Sequence, residues 1–435
     1  MQEPLPASPH IVIVGGGVAG IEMATQLARK QRHNPARYRI SLIDCDTAHV
    51  WKPMLHTIAA GTRDIGQQQT PFAAQAHAAG FKYEPGEMCG LGRVKREVLL
   101  APILANDGRE LVPARRVRYD KLIFAVGSTA NDFGTPGVHE HCVMIDSRRQ
   151  ALSFNESVRN HIFESIGQNR DLRISIVGAG ATGVELAAEL MQLADEAQAY
   201  GAPGLRERVR ITLIEATDRI LGAFPERVST LATQRLRKLG IEVLLDTRVK
   251  SAREDGFELS NGDFLPATIR VWAAGVKAPE FLASLPGLDT QDNNTLLVTP
   301  TMQTVRDPSV FAVGDCASLV LPGHDRPLPP TAQVAHQQAR YLIRHLPALL
   351  ENRPVPPFRY RDFGALVSLG DYDAYGSLGK FRLFRGGFIR GRLASFSHMA
   401  LYRTHQARVH GFWRGGLLWL VDLINSRVKP PVRLD

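Results

Sequence analysis

The sequence predicts an α/β fold in which one strand–turn–helix unit occurs twice, the second copy inserted in the first, followed by a basic amphipathic tail. Three observations carry this reading. A glycine-rich turn of one spacing recurs 163 residues apart, at Gly15 and Gly178. A third glycine-ended strand returns late in the chain, at Val310 to Gly314. The segment from Lys380 to Asp435 holds eleven Lys or Arg against two acids, whereas the preceding 379 residues hold 41 of each sign.

HIVIVGGGVAGIEMATQLARK reads as an apolar strand from Ile11 to Val14, a tight turn, and a helix with apolar positions at helical spacing. Gly15, Gly17 and Gly20 form GxGxxG. The first glycine makes the turn, the second lets backbone approach a pyrophosphate, and the third lets helix and strand pack closely. The diphosphate of a dinucleotide would sit at the helix N-terminus, where free N–H groups and the dipole favour negative charge. The next strand, YRISLID, ends in Asp44, placed to accept hydrogen bonds from an adenosine ribose.

The same order recurs in LRISIVGAGATGVELAAELM, with Gly178, Gly180 and Gly183, and in the strand VRITLIE, which ends in Glu215. One GxGxxG is weak; two, each in strand–turn–helix context with a strand-end acid, are strong. The distance from first glycine to acid is 29 residues in the first unit and 37 in the second. QAYGAPGLRERV is expected to absorb the difference as a loop. A carboxylate at Glu215 would repel the extra phosphate of NADPH, so the second unit should prefer NADH, the alternative being a merely solvated strand-end acid. In TVRDPSVFAVGDCAS, a strand from Val310 to Val313 leads to Gly314 and Asp315, and an aspartate there fits a hydrogen bond to a flavin's ribityl chain, although a tight structural turn would look similar in isolation. These units imply Rossmann-like domains at 1–165 with 292–378 (FAD) and at 166–291 (NADH), followed by a segment at 379–435.

A chain of 435 residues, 44% apolar and 22% charged, has enough apolar side chain for two or three packed domains. Cys45, Cys89, Cys142 and Cys316 include no CxxC pair, which suits a reducing compartment and excludes a dithiol centre. The opening MQEPLPASPH has no charged stretch followed by an apolar one, and no apolar run reaches eighteen residues, so neither a secretory signal nor a spanning helix is expected. The fourteen histidines lack metal spacing, and no metal is expected.

The order GGGVAG, FAVGS, GAGATGVE, WAAG and GDCAS resembles the two-dinucleotide-binding-domain flavoprotein superfamily, glutathione-reductase-like in fold, over nearly the whole chain. HVWKPMLHTIAAGT, GATGVELAAEL, LIEATDRIL, PPTAQVAHQQA and LVSLGDYDAYGSLG, followed by a basic C-terminal segment, are similar to type II NADH dehydrogenases, the single-subunit NADH:quinone oxidoreductases that do not pump protons. The resemblance implies that Trp51, Lys52 and Pro53 lie along the flavin, with Gly127, Gly314 and Asp315. It implies a nicotinamide nucleotide site at Gly178, Gly180, Gly183 and Glu215, lined by Ala274 and Gly275. Glu185 would stand near nicotinamide and flavin and handle a proton, the alternative being an acid in the helix's first turn. Gln333 and Gln337 match the quinone pocket; four residues apart, they share one helix face and could donate to a quinone carbonyl. A buried capping glutamine would look the same. His336, off that face, carries no assignment.

The reaction implied is hydride transfer from NADH to FAD, then reduction of a quinone, ubiquinone or menaquinone, without proton pumping. In GFWRGGLLWLVDLINSR, Trp413, Leu417, Leu420, Val421 and Ile424 fall on one helical face, with Arg414, Asp422 and Asn425 elsewhere. Too short to span, such a helix can lie in a membrane surface while Lys and Arg attract anionic headgroups; the alternative is that its apolar face packs onto the chain's own core or a dimer partner. The alternating FRLFRGGFIRGR upstream would add to that surface. The expected place is the cytoplasmic side of a bacterial inner membrane, as a peripheral protein. A homodimer is left open; nucleic acid is not expected, since no reader module accompanies the basic tail. Two other readings stand beside this one: an FAD-dependent NADH oxidoreductase with a soluble acceptor, and a nucleotide-sensing flavin-binding protein.

Overall fold

The computed structural model of the chain describes residues 8–31, 38–63, 65–370, 373–378 and 388–428. In the first unit, β1 (His10–Val14) runs into helix α1 (Val18–Lys30) and pairs in parallel with β2 (Arg39–Asp44), which in turn pairs with β3 (Lys82–Pro85). On the other side β1 pairs in parallel with β4 (Lys121–Phe124). Ile11, Val12 and Ile13 are wholly buried, as a strand covered on both faces of a parallel sheet requires. An antiparallel three-stranded layer (Met88–Gly92, Glu97–Leu100, Arg115–Arg118) precedes β4.

Helix α2 (Leu55–Ala60) ends at Gly61 in the left-handed region (φ +77°) and packs against α3 (Arg148–Gln168). The second unit repeats the first: β5 (Leu172–Val177), helix α4 (Ala181–Ala199), then β6 (Val209–Ile214), β7 (Glu242–Leu244) and β8 (Ile269–Trp272). Its sheet order is β7-β6-β5-β8, all parallel. The stretch expected to be a loop between α4 and β6 is partly helical, because α4 continues to Ala199 and Leu205–Arg208 forms a further turn.

Strand β9 (Val310–Ala312) returns to pair with β4, completing the first sheet in the order β9-β4-β1-β2-β3. The late strand therefore belongs to the first unit, and the second is inserted. Helix α5 (Ala332–Leu350) packs on α1. A meander of β10 (Gly364–Leu369), β11 (Asp373–Leu378) and β12 (Phe388–Arg390) follows. Val367, Leu369 and Tyr375 join the core of the second unit, so this hairpin leans on α4 rather than on the first sheet.

The chain ends in two helices, α6 (Arg392–His410) and α7 (Phe412–Val428). The basic segment thus divides. Helix α6 docks on α1, where Gln26 Nε2 donates to Arg408 O (2.6 Å) and Arg29 Nη2 to Val409 O (2.7 Å), and on the helix Phe72–Ala79, where Gln75 Nε2 donates to Val409 O (2.7 Å). These side chains satisfy carbonyls that the last helical turn leaves without intrahelical donors. Helix α7 lies outside α6, with Gly415 against Ala407 and Asp422 paired to Arg403 at 2.6 Å. Its five expected apolar residues, Trp413, Leu417, Leu420, Val421 and Ile424, are all exposed, Trp413 to 82%. Among the described residues no helix is long and apolar enough to cross a membrane. Most of the alternating 381–392 segment lies outside the described residues.

Candidate active site

The two glycine turns have the same construction. Gly15 N–H donates to Ile43 O and Gly178 N–H to Ile214 O, both at 2.8 Å, which pins each turn to the neighbouring strand. Both residues sit in the left-handed region, at φ +98° and +99°. A Cβ on Gly15 would fall 2.5 Å from Ala125 O, and one on Gly178 would fall 2.6 Å from Ala274 Cα. At the third glycine the constraint is tighter: a Cβ would lie 1.8 Å from Gly15 O at Gly20 and 2.0 Å from Gly178 O at Gly183. Gly17 and Gly180 precede α1 and α4 in extended conformation without a side-chain cap, so the first-turn N–H groups remain for a diphosphate.

The strand-end acids face these turns. Asp44 Oδ2 accepts from Gly16 N–H (2.5 Å) and Oδ1 from Asp46 N–H (2.7 Å), while burial pushes its carboxyl up from the usual range. Glu215 Oε2 accepts from Ala179 N–H at 2.9 Å, and Oε1 accepts from the Thr217 N–H and hydroxyl, each at 3.0 Å. Each cradle therefore joins a helix N-terminus to a carboxylate one strand away, the chemistry a dinucleotide's diphosphate and ribose require. The residues fit FAD in the first unit and NADH in the second.

Between the units, Lys52 Nζ donates to Ser128 O (2.6 Å) and lies 3.5 Å from Asp146 Oδ1. Ser128 Oγ donates to Asp315 Oδ2 (2.7 Å), and Gly314 N–H donates to buried Gln338 Oε1 (2.6 Å). Lys52, Gly127 (φ +70°), Gly314 and Asp315 are thus brought together, and Ser128 and Gln338 complete the set. Ser128 closes the FAVGS motif, which is the signal in the sequence that points to it. Ala274 and Gly275 follow β8, and a Cβ on Gly275 would meet the Phe133 ring at 2.6 Å.

Glu185 is the fifth residue of α4, past the first turn, which contains no acid, so the first-turn alternative falls away. The residue is 6% exposed; Oε1 accepts from Ser368 N–H of β10 (3.0 Å), and Oε2 lies 3.5 Å from His56 Nδ1. Burial, and secondarily the neighbouring Glu189, raise its pKa from 4.5 to about 8 against the lowering by Ser368 N–H. Glu189, one turn on, accepts from the Thr62 hydroxyl. His56 and Thr62 both lie in HVWKPMLHTIAAGT, and the motif was the signal that could have found them.

Gln333 and Gln337 share a face of α5 as expected, but the structure engages both amides with residues 360–363. Gln333 Nε2 donates to Tyr360 Oη (2.7 Å) and its Oε1 accepts from Phe363 N–H (2.9 Å). Gln337 Nε2 donates to Arg361 O (2.7 Å) and its Oε1 accepts from Arg361 N–H (3.0 Å). Five residues of near-extended chain separate Phe363 from Ser368, a span of roughly 16 Å, so the glutamine pair and Glu185 sit at opposite ends of β10. His336, unassigned from sequence, holds buried Glu22 at 2.6 Å. All four cysteines are free, and among the described residues no group of three His, Cys, Asp or Glu side chains is arranged for a metal.

Two dinucleotide cradles, the second inserted in the first unit, with Lys52, Ser128, Gly314 and Asp315 gathered between them, define a pyridine-nucleotide flavoprotein reductase. The family model for pyridine nucleotide-disulphide oxidoreductases matches residues 9–339. The Type II NADH:quinone oxidoreductase of Haemophilus influenzae is 38% identical, covering 98% of this chain and 99% of the relative. That of Staphylococcus aureus is 27% identical, with 89% and 92% covered. The chain belongs to this family, in its type II NADH:quinone oxidoreductase branch. Among solved structures, NDH2 from Plasmodium falciparum in complex with NADH superposes with TM-score 0.81 at 18% identity, covering 98% of this chain and all of that one. The sulfide:quinone oxidoreductase of Aquifex aeolicus superposes at 0.71 with 20% identity, covering 93% and 92%. These two show the shared fold.

Proposed function

We infer that the chain is an FAD-dependent NADH:quinone oxidoreductase of the non-pumping type, and that Glu185 is the group through which it handles the reaction's proton. The observation that carries the chemistry is the doubled cradle with an acid at each strand end. Its relatives' activity supplies the acceptor, a quinone. FAD, when bound, accepts the hydride and passes two electrons on. The protein's share is placement: Gly178 and Gly183 hold the NADH diphosphate, Glu215 selects against a 2′-phosphate, and Lys52, Ser128 and Asp315 hold the flavin side. Reduction of a quinone by NADH consumes one proton beyond the hydride, and a buried carboxyl still protonated at neutral pH can supply it.

Gln333 and Gln337 are proposed to serve the quinone pocket by holding the 360–363 segment at its edge. The pairing of β9 with β4 supports the division into 1–165 with 292–378, 166–291 and 379–435, although α3 runs through residue 165 and the 364–378 hairpin packs on the second unit. The outward apolar face of α7 supports attachment to a membrane surface, on the cytoplasmic side of a bacterial inner membrane where NADH is available. One steady-state experiment tests the reading: the yellow protein should oxidise NADH far faster than NADPH and only when a quinone is present. Equal rates with both nucleotides, or indifference to quinone while soluble dyes are reduced, would favour a soluble acceptor.

A further inference from the structure

Two stretches of chain join the units: one leaves the first sheet after β4, the other returns from the second sheet after β8. They pair with each other in antiparallel register, Thr129 opposite Lys277 and Ala130 opposite Val276. The ribbon continues as Asn131 N–H donates to Gly275 O (3.3 Å) and the indole N–H of buried Trp272 donates to Asn131 O (2.8 Å). Asp132 is held by Lys277 Nζ and His139 Nε2, each at 3.1 Å. The chain from Thr129 to Asp132 is thus fixed residue by residue.

Phe133 comes next and differs in kind. Its N–H donates to Asn131 Oδ1 (3.0 Å), and its backbone lies in the left-handed region at φ +52°. A bulky side chain is disfavoured there, where asparagine or glycine is at ease. The ring nevertheless stays 66% exposed, so burial in the fold does little to offset that cost. Backbone strain of this kind persists where a side chain serves a ligand rather than the core. The tip of the ring rests on Gly275, where a Cβ would fall 2.6 Å from Phe133 Cζ and 3.0 Å from Cε2. Only a glycine at 275 leaves the ring that seat.

The sheet order β7-β6-β5-β8 says which half of a dinucleotide meets that ring. A diphosphate at the glycine turn after β5 leaves the adenosine ribose on the side of β6, where Glu215 stands. The nicotinamide riboside then extends to the other side, over the end of β8, which runs into Ala274 and Gly275. Five residues before Phe133, Ser128 binds Lys52 and Asp315 on the flavin side. The ring therefore stands at the junction where nicotinamide and flavin have to meet. We propose that Phe133 contacts the nicotinamide ring of bound NADH: seated on Gly275, the phenyl group packs against that ring, keeps water from it and holds it in place for hydride transfer. Its apolar surface is covered when the nucleotide is bound. The proposal rests on the NADH reading of the second cradle and adds to it the contact at the nicotinamide end.

Stopped-flow reduction of the full-length FAD holoenzyme by NADH tests it, with ADP, which lacks the nicotinamide riboside, as a competitive probe of the same cradle. Phe133→Asn suits the left-handed backbone, so flavin content should match the wild type and Tm should equal or exceed it. The same variant should raise the Kd for NADH about tenfold. The inhibition constant of ADP should stay within about twofold, and Phe133→Tyr, which keeps an aromatic ring, should bind NADH within about twofold of the wild type. If Phe133→Asn fails to fold, Phe133→Gly removes the ring on an equally tolerant backbone and should give the same pattern. An unchanged Kd for NADH overturns the proposal. So does an equal loss for NADH and ADP, because the ring then only props the cradle, and so does a Tm lowered by several degrees in both variants, because the ring is then a packing element. If NADH does not bleach the wild-type flavin, the NADH reading itself has failed and the contact falls with it; wild-type bleaching with an unaffected variant refutes the contact alone.

Discussion

Replacing Glu185 with glutamine separates the two halves of the reaction. An exposed glutamate with a pKa of 4.5 is protonated about one part in 300 at pH 7, whereas one raised to about 8 is protonated about ten to one. Burial therefore multiplies the proton available at that position by a few hundredfold. Glutamine keeps the shape and the acceptor for Ser368 N–H but has no proton to give. Stopped-flow absorbance should show flavin bleaching by NADH within about threefold of wild type, and reoxidation by quinone slower by about a hundredfold or more. In the wild type the acid form is the competent one, so reoxidation should fall about tenfold per pH unit above about 8. The same shift has a sign in stability. The folded protein holds this proton more tightly than the unfolded chain does, so its contribution is complete below about pH 4.5 and is lost as pH rises to about 8, by up to about 5 kcal/mol. Glu185→Gln should flatten that part of the pH–Tm curve. Equal slowing of both halves, or reoxidation that stays level well above pH 8, would refute the role.

Gly183→Ala places a Cβ 2.0 Å from Gly178 O and should give a yellow protein with little or no NADH turnover; Gly20→Ala, at 1.8 Å from Gly15 O, should instead come off the column with its flavin content lost. Glu215→Gln should raise kcat/KM for NADPH by about tenfold, measured against NADH, by removing the carboxylate that repels a 2′-phosphate. Ending the chain at Gly411 removes α7 and should abolish cosedimentation with anionic vesicles while shifting Tm by only a few degrees. Ending it before Arg392 should give aggregation, because α6 covers the first unit's core with buried Val409 and His405.

The two cradles were legible because the same constraint writes the same residues twice. A turn pressed against Ala125 or Ala274 tolerates only glycine, and that requirement is local in sequence. The return of β9 was legible for the same reason, since Gly314 and Asp315 sit together at a strand end. What escaped were contacts whose partners are far apart in the chain: Glu185 with His56 and Ser368, Gln338 with Gly314, His336 with Glu22, His49 with His405. No periodicity marks a lone histidine as the neighbour of a carboxylate 129 positions away. The glutamines of α5 show the opposite hazard. Their shared face was correctly read, but an amide that can donate to a quinone can equally clamp a loop, and spacing does not choose between them.

The C-terminal helices explain how an apolar surface can be kept outside without loosening the fold. Sequence alone allowed the apolar stripe of α7 to pack inward. The structure turns Asp422 inward instead, where it holds Arg403 of α6, and Gly415 lets α7 approach Ala407 closely. Helix α6 is in turn tied to α1 by Gln26 and Arg29, which donate to its last carbonyls. Because α1 begins at the first glycine turn, the exposed apolar face of α7 connects through two helices to that turn, with polar pairs at each junction. Weakening the α6–α1 junction should therefore cost flavin retention as well as membrane binding. Arg29→Ala, which removes donors to Arg408 O and Val409 O, should show both losses in one preparation, whereas removal of α7 should show only the second.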